Sequence, residues 1–212
     1  MKLEEFIKLV GEFPVIDTEI LLAGVSNPRP FKVQISRWQR AGKLIQLKRG
    51  VYLLGAAYRK VKPYEPYIAF ILKKPSYISL EKALEYYGLI PEAVKVYTSV
   101  TTKRQGRFTS KFGIFNYKHI QNSLFWGYNS ITMNGQTGFI ASPEKALLDL
   151  IYLRGVKISP AYLKELRLQN VEKINLDELL ACARRFKKPG MLQAAKKISE
   201  FIQSEQKKVK VL

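Results

Sequence analysis

The chain has one cysteine, Cys182, and one histidine, His119, in 212 residues. A lone thiol supports no disulfide framework, and neither residue has the His or Cys companions a zinc site needs. Cys182 lies in the amphipathic stretch Leu179-Leu180-Ala181-Cys182-Ala183 and reads as a small buried thiol. Acids are scarce too: 17 Asp and Glu stand against 36 Lys and Arg, a formal charge of +19. They are scattered, so no carboxylate cluster for Mg²⁺ is visible. Glu144 and Asp149, the nearest to one, fall about 140° apart on a helix and do not converge on one ion. GxxxxGK[ST], GxSxG and HExxH are all missing. These absences predict a protein that is not an enzyme and carries no cofactor or metal. Apolar runs are short as well: the one from Tyr67 to Leu72 stops at Lys73, well below the roughly 18 residues of a spanning helix. Met1-Lys2-Leu3-Glu4-Glu5 does not read as a signal peptide. The expectation is a soluble cytoplasmic protein with no membrane partner.

With 47% hydrophobic and 12% aromatic residues, there is ample material for a packed core. The excess of positive charge points to a polyanion, and nucleic acid is the first choice. Leu3, Phe6, Ile7 and Val10 recur at helical spacing, which predicts a first helix ended near Pro14. Asp17 or Thr18 can cap a short second helix that stops at Gly24, and a third runs from Phe31 to Ala41. Leu44–Leu47 and Val51–Leu54 read as strands joined through Lys48-Arg49-Gly50. Three helices and a hairpin are the order of a winged helix-turn-helix. The proline-bearing stretch from Lys60 to Pro66 marks a boundary, giving residues 1–62 as a DNA-binding domain and 63–212 as a second domain.

In the second domain, helices are expected over Tyr67–Lys73 and Leu80–Tyr87, the latter closed by Gly88. Val94–Thr101, Arg107–Tyr117 and Ser130–Ile140 are β-branched and aromatic, with glycines as turns, and predict a small, mostly antiparallel, meander-like sheet. Ser142-Pro143-Glu144 is a capped helix start, with Glu144 favoured by the helix dipole. Helices over about 160–168, 175–186 and 190–204 follow, and Lys207 to Leu212 should fray. The fold class is α+β.

Charge is most one-sided between Glu19 and Glu65, where no Asp or Glu occurs. On a helix from Phe31 to Ala41, Phe31, Ile35 and Trp38 share one face while Lys32, Ser36, Arg37 and Arg40 lie opposite. An α-helix fits the major groove, and arginine bonds guanine in bidentate fashion. Lys32, Ser36, Arg37 and Arg40 are therefore the candidate base-contacting residues, with Val33 near a thymine methyl. Lys43, Lys48 and Arg49, on the turn after the helix and at the hairpin tip, are the candidates for phosphate contact or minor-groove insertion, and Arg29 is a further candidate DNA-binding residue. The competing reading is an RNA-binding or protein-interaction module without operator specificity, in which Tyr97, Phe108, Phe112, Phe115 and Tyr117 stack bases on an exposed sheet face.

Several segments, taken in order, resemble a known family. They are Tyr77-Ile78-Ser79-Leu80-Glu81-Lys82-Ala83-Leu84, Tyr87-Gly88-Leu89-Ile90-Pro91, Val96-Tyr97-Thr98-Ser99-Val100-Thr101, Phe112-Gly113, and Ala141-Ser142-Pro143-Glu144-Lys145-Ala146-Leu147-Leu148-Asp149. Together with Lys48-Arg49-Gly50-Val51-Tyr52 they resemble the AbiEi-type antitoxins of bacterial abortive-infection (phage defence), type IV toxin–antitoxin systems. The resemblance covers most of the chain. It implies a repressor whose winged helix binds inverted repeats in the double-stranded DNA upstream of its own operon. It also implies a C-terminal domain that counteracts a nucleotidyltransferase-like toxin without a stable complex.

Overall fold

In the computed structural model, which describes residues 1–210, the chain is mixed α+β with one three-stranded and one six-stranded sheet. Helices α1 (Leu3–Val10), α2 (Thr18–Leu21) and α3 (Arg29–Arg40) precede the hairpin β2 (Leu44–Lys48) and β3 (Val51–Leu54). Each start has a local cause. The Asp17 carboxylate accepts the Glu19 N–H at 2.9 Å and caps α2, and Pro30 occupies the first turn of α3, where its missing N–H costs nothing. Gly50, at φ +83°, makes the hairpin turn that a side chain would strain. Thr18 bonds the Gly50 carbonyl through both its N–H (2.8 Å) and its hydroxyl (3.0 Å), which pins α2 to that turn. A two-residue strand, β1 (Ile16–Asp17), pairs antiparallel with β3. It is too short for any alternation to announce it.

The N-terminal core gathers Phe6, Val10, Ile16, Ile35, Trp38, Leu44, Tyr52 and Leu54. The Phe6 ring lies 4.9 Å from that of Trp38 and 5.7 Å from that of Phe31, so α3 is held by its aromatic face. Strand β3 is buried on both sides. Its Tyr52 and Leu54 enter this core, while Val51 and Leu53, with Leu47 of β2, belong to the larger core of the remaining chain.

That larger part comprises α4 (Glu65–Leu72), β4 (Ser76–Ile78), α5 (Leu80–Tyr86), β5 (Val96–Thr101), β6 (Gly106–Thr109), β7 (Ile114–His119), β8 (Tyr128–Met133), β9 (Gln136–Ala141), α6 (Pro143–Arg154), α7 (Pro160–Glu165), α8 (Leu176–Arg185) and α9 (Pro189–Lys210). Its sheet is larger than the small meander expected, with strand order β6-β7-β5-β4-β9-β8. The pairs β5/β7 and β4/β9 are parallel and the other three antiparallel. Two physical reasons account for the difference. The stretches 107–117 and 130–140 each fold back into a hairpin, and the three-residue β4, too short to show a period, sits at the centre of the sheet. Helix α9 continues to Lys210; residues 211 and 212, at the end of the tail expected to fray, lie outside the described residues.

Candidate nucleic-acid interface

Helix α3 presents the division of faces its sequence implies. Ile35 and Trp38 are each only 4% exposed, whereas Arg29, Lys32, Val33, Ser36, Arg37 and Arg40 are exposed. The exposed side chains of α3 thus include four cations and a hydroxyl, with no acid anywhere in the helix. The Gln39 amide donates to the Gln46 side-chain carbonyl at 3.0 Å and fixes α3 against β2. A cleft of about 700 Å³ opens beside the first half of α3, with Lys32, Arg49 and Gly50 on its walls and Glu19 at its lining.

The remaining candidates separate. Arg49, at the hairpin turn, is exposed, and Lys43 is half-buried. Lys48 is not at the tip of a free wing. Its ammonium donates to the carbonyls of Ile71 (3.2 Å) and Leu72 (2.9 Å). These are among the last carbonyls of α4, which have no partner inside the helix, and a cation there also meets the negative end of the helix dipole. The Tyr117 hydroxyl donates to the Ala69 carbonyl of the same turn at 2.6 Å. Burial pushes the Lys48 ammonium below its ordinary range, against the attraction of Asp17. A lysine committed in this way is not free for phosphate, and it instead joins the hairpin to the second core. Periodicity gives no sign of such a long-range partner. Lys60, further along the acid-free stretch, is paired with Glu12 at 2.8 Å.

The molecule has a second group of charges, and the sequence pattern did not single it out. Lys145 and Asp149, one turn apart on α6, form an ion pair in which both side chains are fully buried. The Asp149 carboxylate also accepts the hydroxyls of Ser79 (2.8 Å) and Tyr77 (3.0 Å), and the Lys145 ammonium reaches the Tyr77 oxygen at 3.0 Å. Rings of Trp126, Phe186 and Tyr77 surround that ammonium at 4.8, 5.3 and 5.4 Å. Burial pushes the lysine down and the carboxyl up, each opposed by the partner's charge. With both side chains fully buried, the group ties α6 to β4. The i, i+4 spacing was the available signal. Glu144 is buried as well, and its Oε1 accepts the Asn175 N–H at 2.8 Å, joining the start of α6 to the start of α8. Cys182 is buried, and burial raises its thiol to about 12.

The sheet aromatics form no outward cluster. Phe115 and Tyr117 are buried, and Tyr97, Phe108 and Phe112 are half-buried against them, with centroid distances of 5.3 Å for Tyr97–Phe115 and 5.7 Å for Phe108–Tyr117. Burial lifts the Tyr97 hydroxyl to about 12. Among the described residues no helix is long and apolar enough to cross a membrane, and no three His, Cys, Asp or Glu side chains gather as a metal site would require. Neither a protein-family model nor a curated protein matches the chain.

Proposed function

We propose that residues 1–62 form a winged helix-turn-helix and that the chain is a cytoplasmic, sequence-specific DNA-binding regulator without catalytic activity. In this reading α3 is the recognition helix and the β2–β3 hairpin the wing. The observation that carries it is the exposed face of α3, where Lys32, Ser36, Arg37 and Arg40 stand free while Trp38 and Ile35 anchor the opposite side. Base readout falls to those four residues and Val33, and phosphate contact to Arg29, Lys43 and Arg49. Lys48 leaves the set. The resemblance of the chain to AbiEi-type antitoxins extends the proposal to an autorepressor of inverted-repeat operators and an antitoxin that acts against a nucleotidyltransferase-like toxin.

The test is binding to the duplex upstream of the chain's own gene across a salt series. Arg37→Ala should weaken that binding by about 1–3 kcal/mol and remove the preference over random duplex. Arg49→Ala should weaken all duplexes alike and reduce the salt slope by about one. Equal affinity of the unaltered chain for its own and for random duplex would sink the operator reading, since specific binding exceeds non-specific by on the order of 10³ or more.

A further inference from the structure

The two edges of the six-stranded sheet are guarded differently. An edge strand leaves every second N–H and C=O unpaired, and natural edges are blunted with lysine, proline, bulges or short strands. At one edge, β6 is four residues long and contains Arg107, with Lys103 and Arg104 before it and Lys111 after it. At the other, β8 is six residues long, Tyr-Asn-Ser-Ile-Thr-Met, with no charge and no proline. Its register with β9 runs unbroken from Tyr128↔Ala141 to Met133↔Gln136. The strand lies in the longest uncharged run of the chain, from Lys118 to Glu144, in a protein whose residues are 25% charged.

The turn fixes which groups face outward. Asn134 and Gly135, at φ +49° and +73°, close a two-residue hairpin, so Met133 and Gln136 form its first hydrogen-bonded pair. Alternation then makes hydrogen-bonded pairs of Ile131/Gly138 and Asn129/Ile140. The Ser142 N–H continues the series to the Gly127 carbonyl at 2.9 Å. The backbone groups of Tyr128, Ser130 and Thr132 therefore point away from β9. Among the described residues no strand lies beyond β8 in the sheet, and the side chains of Asn129, Ser130, Thr132 and Met133 are exposed.

We propose that β8 is a self-association edge, on which the β8 of a second copy pairs antiparallel about a two-fold axis near Ser130 and joins the two sheets into one. Charge selects this occupant. Two chains of net charge +19 repel wherever their lysines and arginines meet, and the six residues of β8 carry no charge to set against a copy of themselves. An acidic protein or a nucleic acid finds its complement on the basic surfaces, not here. A two-fold contact also places identical neutral side chains opposite one another. The proposal does not depend on α3 reading DNA.

The experiment is sedimentation equilibrium of the full chain over micromolar to hundreds-of-micromolar concentrations at several salt levels, without DNA. The unaltered chain should approach the mass of two chains, and more readily at high salt, where repulsion is screened. Ser130→Pro removes an outward donor and leaves the β8–β9 bonds in place. It should lower the association constant about tenfold or more while leaving the circular dichroism unchanged. Ser130→Lys and Ser130→Glu should each weaken self-association, and their equimolar mixture should restore it; these decide the matter if the proline variant disturbs the fold. A chain that stays monomeric throughout overturns the proposal, as does a dimer indifferent to the lysine and glutamate variants.

Discussion

Replacing Lys145 by methionine removes one charge from the fully buried pair and keeps most of the side-chain volume within the cage of Trp126, Phe186 and Tyr77. Breaking a buried pair by deleting one partner costs about 3–5 kcal/mol, because the other charge remains desolvated. Asp149 keeps the hydroxyls of Ser79 and Tyr77, which places the expected loss near the lower end, about 3 kcal/mol. With a urea slope of about 2–3 kcal/mol/M for a chain of this size, the unfolding midpoint should fall by roughly 1–1.5 M at pH 7. The pH dependence has a definite sign. Burial already raises the Asp149 carboxyl, and loss of the lysine raises it further. A carboxyl whose folded pKa exceeds its unfolded value of about 3.9 costs nothing where both states hold the proton, and its cost grows as pH rises to the folded value. The deficit of the variant should therefore be smaller at pH 5 than at pH 8. Adding Asp149→Asn, which keeps an acceptor for both hydroxyls and carries no charge, should recover most of the loss at pH 8. A single variant that loses less than about 1 kcal/mol, or the same amount at both pH values, refutes this reasoning.

Lys48→Met should cost about 1–2 kcal/mol in urea unfolding, since it strips a charged donor from two α4 carbonyls at a partly solvated site. It should leave the salt slope of DNA binding unchanged, and a slope reduced by one would return Lys48 to the phosphate contacts. Gly138→Ala would put a Cβ 2.5 Å from the Pro66 carbonyl carbon, where backbone meets backbone, and should lower stability by about 1–3 kcal/mol in thermal melts. Gly190→Ala, which meets open space, is the control and should be neutral within about 0.5 kcal/mol.

What the sequence made legible was local. The apolar spacing in α1 and α3, the Asp17 and Ser142 caps and the glycine of the hairpin turn each act within a few residues; those elements start within two residues of where expected, while α1 and α2 end about three residues earlier, at Val10 and Leu21. What it hid was pairing at a distance. The place of β4 between β5 and β9, the partners of Lys48 23 and 24 residues away, and the meeting of Tyr77 with Asp149 72 residues away are set by topology, which no period encodes. The candidate interface divides along the same line: the face of α3 follows from angular spacing alone, whereas whether a lysine on the hairpin is free depends on what the rest of the chain brings against it.

That dependence bears on whether the proposed DNA-reading unit can act alone. Leu53, fully buried, and Leu47 and Val51, nearly so, lie on the hairpin face that packs into the larger core. Cutting after residue 62 exposes all three and deprives Lys48 of both acceptors. Each aliphatic side chain returned to water forfeits about 1.5–3 kcal/mol, so the fragment loses roughly 5 kcal/mol or more, comparable to the whole stability of a small domain. A fragment of residues 1–62 is therefore expected to be unfolded or aggregated and to bind DNA weakly, even though every candidate contact residue lies within it. Dispersed amide resonances and full operator affinity from that fragment would contradict this. If the fragment fails while the full chain binds, α3 is held in its reading position by α4 and the six-stranded sheet. A partner that displaced α4 would then act on the proposed DNA binding through Lys48 and Leu53 without touching α3.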